Sequence, residues 1–325
     1  MDLPGFVAEG WPGRDYLVEP FFPTCGIGLL FAPAGVGKTW VAQRQAIDLA
    51  KGESFLGFTV PKPRRVILID GEMSEAQLHS RLKAVLNGEP PPDPKHFRAL
   101  SASTVMRQRG NPLDLSSETE RQALMDAIED LAETERPELL VLDNLSSLYS
   151  TLRENDIDVI TGQVMSWCIR LRFLGVSVLL VHHAGKQGIG GGPRGSSGFN
   201  GPLDWAVGLD PKGDDDDSTP KFDFVFTKQR HAPVPRKKTR ITIEPTRQGV
   251  TFEWAAADDG DMVKILRACG NWTAESGKPS LSALADATGV TRSTVNRLLK
   301  KARARLLLKD YTLTDKGRTY VEFGH

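Results

Sequence analysis

Residues 32–39 read Ala32-Pro33-Ala34-Gly35-Val36-Gly37-Lys38-Thr39, directly after the apolar run Gly28-Leu29-Leu30-Phe31 and directly before the helical stretch Trp40–Lys51. A glycine-rich turn between a buried strand and a helix constrains the fold strongly, because this context makes a short motif into a phosphate cradle. Gly35 and Gly37 let the backbone curl so that successive N–H groups point inward at a polyphosphate, and the helix N-terminus adds partial positive charge. Lys38 is placed to reach the β- and γ-phosphates of ATP, and the Thr39 hydroxyl to bind Mg²⁺. Ala34, Gly35, Val36, Gly37, Lys38, Thr39 and Trp40 are the expected ATP-binding residues. Ala32 stands where the motif has its first glycine, a methyl-sized change at the entrance of the loop. The alternative is a chance glycine-rich turn.

The segments that follow repeat one pattern. Arg65–Asp70 is a short apolar strand leading into Gly71-Glu72-Met73, and Ser74 caps a helix through Leu86. Glu89–Pro94 is a proline-rich loop. Glu118–Glu133 carries apolar residues at helical spacing, Leu139–Leu142 is a strand ending in Asp143, and Asn155–Leu174 is a helix leading to the strand Ser177–Val181. Wholly apolar short strands alternating with helices imply an α/β fold with a mostly parallel sheet covered on both faces. Gly185–Gly201 has eight glycines in seventeen residues and reads as a long mobile loop. Trp205–Leu209, Phe222–Phe226, Thr239–Ile243 and Val250–Trp254 read as further strands. The acid run Asp214–Asp217 between them is a solvated hairpin tip, with metal binding the less favoured reading because adjacent carboxylates lack cage spacing.

At 325 residues the chain has room for one large α/β domain, expected over 1–258, and a small appendage over 259–325. Its net charge of zero hides an asymmetry: residues 261–325 hold 12 Lys/Arg against 6 Asp/Glu. A basic tail on an acidic body suits nucleic-acid binding, and a solvated helix surface explains it equally well. Three scattered cysteines suggest neither a disulfide framework nor a zinc site. No stretch approaches about 18 uninterrupted apolar residues, so no membrane partner and a cytoplasmic location are expected.

Ligands of open α/β sheets bind at the carboxyl ends of strands, so acids at those ends are informative. Asp143 fits a Walker B carboxylate that helps to hold Mg²⁺. Glu72 fits the general base that polarises the attacking water, with Asp70 as its competitor two residues deeper. A helix cap or a surface charge explains either one alone. His183, after a core strand, is placed to sense the γ-phosphate, whereas His182 reads as structural.

The order Ala32–Thr39, Asp70-Gly71-Glu72-Met73, Leu142-Asp143-Asn144, Val181-His182-His183-Ala184-Gly185-Lys186 and Arg194-Gly195-Ser196-Ser197 resembles the RepA-like branch of the RecA-superfamily ATPases, related to the DnaB helicase motor. The resemblance covers about residues 15–255. It implies a RecA-like P-loop core in a ring, expected to be a homohexamer, with ATP sites between subunits and single-stranded DNA in a central channel. It makes Lys186, Arg194, Ser196 and Ser197 candidate nucleic-acid contacts, with Arg153 a weaker one. It also implies that Lys228 and Arg230 complete a neighbour's nucleotide site, Arg230 ahead of Lys228, although an exposed basic hairpin is the simpler account. In departure from the DnaB plan, no separate primase-binding domain is expected before Gly26.

At the other end, Ala285, Gly289, Val290, Val295 and Leu298 fall where a helix-turn-helix needs small, turn and core residues. Leu306–Leu313 then reads as a wing. A winged helix over 259–325 would present Arg292 and Asn296 on its outer face, to duplex DNA or to a protein. Together these features imply a ring-forming, nucleic-acid-dependent ATPase and DNA helicase for replicating a plasmid, phage or mobile element. The alternative is an ATP-switched DNA-binding regulatory, loading or recombination protein without sustained unwinding.

Overall fold

The computed structural model describes residues 13–150, 159–199, 201–212, 219–231, 238–256, 259–271 and 278–318, together with Leu3. The chain forms two compact units, Met1–Lys237 with Thr242–Phe252, and Lys238–Ile241 with Glu253–His325. The boundary falls a few residues before the one expected at 258.

The larger unit opens with a small antiparallel pair, β1 (Tyr16–Val18) and β2 (Phe22–Pro23). The strands β3 (Ile27–Ala32), β4 (Val66–Asp70), β5 (Phe97–Ser101), β6 (Leu139–Asp143), β7 (Ser177–Gly185) and β9 (Trp205–Pro211) are joined in parallel in the order β5-β4-β6-β7-β3-β9. β10 (Lys221–Gln229) adds antiparallel to β9, and the first unit's share of β11 (Lys238–Pro245) and β12 (Val250–Ala256) continues that edge. All six residues of β3 are buried, as expected for a strand covered on both faces. Ile27, Leu29 and Phe31 share a core cluster with Leu140, Leu142, Leu145, Trp167 and Leu171. Gly28 is required by its neighbour: a β-carbon there would lie 2.3 Å from the Trp205 indole.

The P-loop leads into α1 (Lys38–Lys51), which packs on β3, β4 and β6. α2 (Glu75–Leu86) starts at Ser74 with a capping box, in which the Ser74 hydroxyl accepts from the Gln77 N–H and the Gln77 side chain accepts from the Ser74 N–H. α3 (Ala102–Arg109), α4 (Glu118–Glu129) and the single turn α5 (Leu145–Leu148) follow. A π-helical turn, Ile160–Met165, continues into α6 (Ser166–Phe173). The expected start of that helix at Asn155, Arg153 and the acid run Asp214–Asp217 lie outside the described residues.

One expectation is overturned. The glycine-rich segment is not a long loop: β7 runs on to Gly185 and turns into β8 (Gly188–Pro193), which pairs back on it antiparallel, and α7 (Ser196–Phe199) follows. Two apolar side chains give this segment its order. Phe199 is 1% exposed within the core cluster, and Ile189 packs against the same cluster. Glycine lowers intrinsic strand preference, but it permits the close backbone approach of β8 to its neighbours.

The smaller unit has its own core, built from α8 (Asp259–Gly270), α9 (Leu281–Thr288) and α10 (Arg292–Ala304) around Met262, Ile265, Leu284, Val295 and Leu298. Gly289 ends α9 in the left-handed conformation, and a short antiparallel pair, β13 (Leu308–Lys309) and β14 (Thr312–Leu313), follows α10. Among the described residues no helix is long and apolar enough to cross a membrane.

Candidate active site at the carboxyl ends of the core strands

The parallel register aligns the strand ends that matter. Ala32 lies beside His183, and Asp70 beside Asp143, so P-loop, carboxylates and imidazole share one edge of the sheet. Gly35 and Gly37 take φ of 78° and 120°, which a side chain rarely tolerates; these are the two positions where the loop needs glycine. Ala32 is fully buried as the last residue of β3, where its methyl group is accommodated.

Lys38 folds back over its own loop. Its Nζ donates to the carbonyls of Pro33 at 2.9 Å and Ala32 at 3.3 Å, and lies 3.4 Å from His183 Nδ1. Burial holds the Lys38 ammonium below the usual lysine range, against the upward pull of Asp143 and Glu72. The His183 imidazole is likewise held low, by burial first and then by the nearby cations Lys38 and Arg194. His182 is a core residue: it packs on Phe199 with ring centroids 5.7 Å apart, and burial pushes it down to about 3.

The carboxylates divide their roles by position. Asp70 Oδ1 accepts from the backbone N–H of Glu72 at 2.9 Å and of Met73 at 2.6 Å, so Asp70 shapes the turn that presents Glu72. Glu72 is exposed and accepts from Asn144 Nδ2 at 2.7 Å. Asn144 also caps α5 through the Ser147 N–H. The Asp143–Asn144 peptide is cis. Asp143 is buried and pushed up to about 7, by desolvation first and then by Asp70, with the Thr39 hydroxyl pulling the other way. Its Oδ2 is buried without a hydrogen-bond partner. An orphaned carboxylate oxygen beside a threonine hydroxyl and a phosphate cradle suits a hard cation, which restores the lost solvation. The residues present therefore fit Mg²⁺, which Thr39 and Asp143 would hold together with a nucleotide phosphate. Among the described residues no cluster of three or more His, Cys, Asp or Glu could hold a metal without a ligand's help.

Other expected residues lie elsewhere. Trp40 packs under the Arg81 guanidinium, 4.5 Å from its ring centroid. Lys186 is exposed at the β7–β8 turn, Ser196 and Ser197 open α7, and the Arg194 N–H donates to the His183 carbonyl at 3.0 Å. Arg194 thus sits against the nucleotide end of β7. Arg292 and Asn296 are exposed on α10 of the smaller unit.

Lys228 and Arg230 lie at the opposite end of the sheet from Lys38 of the same chain. β10 is antiparallel to β9, and Gln229 pairs with Trp205, which pairs with Gly28 at the start of β3. Six strand residues at about 3.3 Å each separate that end from the P-loop by roughly 20 Å. Both side chains point at Gly201: the Arg230 guanidinium donates to its carbonyl, and Lys228 Nζ lies 3.5 Å from the same oxygen. Sequence reasoning missed what surrounds them. Asp204, 5% exposed, accepts from Ile27 N–H, Arg172 and His231. Nothing in Pro202-Leu203-Asp204-Trp205 marks this acid apart from any other at a strand start.

Fold and site define a P-loop ATPase domain, with a mostly parallel sheet and the P-loop and carboxylates at its carboxyl edge. The chain belongs to the AAA domain family AAA_25, which matches residues 3–188 and thus the P-loop, Glu72, Asp143 and His183. Arg194, Lys228, Arg230 and the smaller unit lie beyond that match. Among solved structures, a KaiC-like protein from the hyperthermophilic archaeon Pyrococcus horikoshii is similar at 18% identity, covering 75% of this chain and 96% of that one, with a TM-score of 0.46. No curated protein matches.

Proposed function

We propose that this chain is a ring-forming, ATP-dependent DNA helicase of the RepA-like kind, in which Arg230 of one copy completes the nucleotide site of the next. One observation carries this reading: the basic pair Lys228 and Arg230 lies a full strand length from its own P-loop. An arginine so placed serves catalysis only by reaching another copy, and a closed ring, a hexamer in this reading, supplies every site with one. Lys38 and the P-loop amides hold the phosphates. Mg²⁺ bound by Thr39 and Asp143 supplies neutralising charge. Glu72 takes the proton of the attacking water, His183 contacts the γ-phosphate, and the guanidinium of Arg230 offsets transition-state charge. Lys186 on the β7–β8 turn and Arg194, Ser196 and Ser197 after β8 carry DNA phosphate contacts. The smaller unit, with its own core and the exposed Arg292 and Asn296 on a basic helix, is read as a winged helix that touches duplex DNA.

The deciding experiment measures ATP turnover with and without single-stranded DNA, and strand separation on a forked duplex. A helicase shows stimulated turnover and ATP-dependent unwinding. Duplex binding without unwinding, with ATP altering only assembly, favours an ATP-switched regulatory or loading protein. The trans assignment has its own test. Arg230→Ala subunits should bind ATP nearly normally and hydrolyse it about 10³-fold more slowly. Mixing them with Lys38→Ala subunits should restore part of the activity, because one complete site is rebuilt where a Lys38→Ala copy supplies the arginine. Absence of recovery in demonstrably mixed rings overturns the trans assignment.

A further inference from the structure

We propose that Asp204 is a positioning residue for Arg230, bolting the arginine-bearing turn of each subunit to the first residue of that subunit's own P-loop strand. The inference rests on the trans reading of Arg230 and adds the element that aims it.

The carboxylate of Asp204 is a junction of four chain segments. One oxygen, Oδ2, accepts from the Ile27 N–H at 2.8 Å and pairs with the Arg172 guanidinium on α6. The other, Oδ1, lies 2.7 Å from His231 Nε2. The Asp204 backbone repeats both links: its N–H donates to the Ile27 carbonyl at 2.8 Å, and its carbonyl accepts from the Arg230 N–H at 2.8 Å. Arg172 also reaches the Pro202 carbonyl at 3.2 Å, bracing the loop before β9. Arg230 is therefore held on both sides, through its own amide and through the imidazole of the next residue. Its guanidinium leans on Gly201, three residues before Asp204.

A buried carboxylate is tolerated only where donors satisfy it, and charge-assisted bonds from arginine and histidine are short and directional. Such a junction is stiff. An exposed hairpin arginine with no such fixing would sample many positions, whereas stabilising a transition state needs the guanidinium placed to within about an ångström. β3 joins the junction at Ile27 to the P-loop after Ala32, so the same strand carries the phosphate cradle at one end and, at the other, the seat of the arginine that the subunit offers to its neighbour.

His231→Gln tests the link while keeping the Arg172 pair and the fold. The expected result is a turnover number about tenfold lower, with KM for ATP unchanged and the melting temperature close to that of the parent. Mixing with Lys38→Ala subunits should recover activity, because the defect lies in the arginine that the variant offers to its neighbour. Asp204→Asn should show the same trans-rescued loss, larger in size, wherever it folds. If Arg230→Ala is rescued on mixing and His231→Gln is not, or if His231→Gln lowers stability with turnover unchanged, Asp204 is structural only and the proposal falls. If Arg230→Ala itself is not rescued, the trans reading fails first.

Discussion

The two ends of β3 solve the problem of buried charge in opposite ways. At the Ile27 end, Asp204 is surrounded by an amide, a guanidinium and an imidazole, and both of its carboxylate oxygens have partners. At the Ala32 end, Asp143 has a buried oxygen without a partner, Asp70 stands beside it in register, and Lys38 has only carbonyls and an imidazole to donate to. A polar group buried without a partner costs on the order of 1–3 kcal/mol, so the second arrangement persists where a ligand completes it. The completed end fixes the position of the groups around it, and the incomplete end is the one that a ligand would complete.

The most direct attempt to break this contrast is Lys38→Ala. If the carboxyl edge holds the polyphosphate, the variant loses ATP hydrolysis by 10³-fold or more and binds nucleotide more weakly, measured by phosphate release and by titration with labelled ATP. Unchanged turnover would mean that the Lys38 ammonium does not hold the phosphates. Glu72→Gln is the finer cut. It should retain ATP binding and assembly while losing hydrolysis by about 10²–10⁴-fold, because an amide keeps the shape but takes no proton. If Asp70→Asn alone produces that phenotype, the base is the deeper carboxylate, against the two backbone N–H groups that occupy Asp70 here.

Stability separates the two ends at a smaller scale. Asp204→Asn leaves Arg172 and His231 facing a neutral amide, and removing one partner of a buried pair typically costs about 3 kcal/mol. Asp143→Asn removes a charge that burial already disfavours, so the nucleotide-free protein should be as stable as the parent or slightly more so, while Mg²⁺-dependent hydrolysis is lost. Urea denaturation of both variants at neutral pH checks the contrast. Equal destabilisation would mean that the two carboxylates are equivalent scaffold.

Much of the incomplete end was legible in the sequence, because its residues follow apolar runs. The strand before the P-loop, Ile67–Ile69 and Leu139–Leu142 are short, apolar and bounded by glycine or acid, so strand ends and thereby Lys38, Glu72, Asp143 and His183 could be placed without coordinates. Ser74 made the start of α2 readable for the same local reason. The completed end was illegible because its partners are remote in sequence: Arg172, Asp204 and His231 meet only after α6, β9 and β10 have packed. β5 was missed because its exposed Arg98 and polar flanks hide an edge strand, whose pairing with β4 is set by the sheet rather than by hydrophobic pattern. The Gly185–Gly201 segment misled because composition was weighed above its two anchors, Ile189 and Phe199.

The smallest effect concerns His182, the buried histidine of the incomplete end. Its charged neighbours are cations, Lys38 and Arg194, whereas His231 at the other end faces a carboxylate. Burial is the main cause that pushes His182 down to about 3 from an ordinary value near 6.5. A histidine whose folded pKa is depressed binds its proton in the unfolded chain first, so its contribution to stability is present above pH 6.5 and is lost as pH falls from 6.5 towards 3. At pH 5 this amounts to about 2 kcal/mol relative to pH 8. Asp48, pushed up to about 7 chiefly by burial, acts with the opposite sign, since its folded form takes up a proton that the unfolded chain does not. The parent protein's pH profile therefore mixes the two, and the histidine has to be isolated by difference. Denaturant unfolding of the parent and of His182→Gln at pH 8 and pH 5 does this, because both chains keep Asp48. The gap between them should narrow or invert on acidification by about 2 kcal/mol. A gap that stays constant would show that His182 has a proton acceptor nearby and that the cationic character of the phosphate end does not extend along β7.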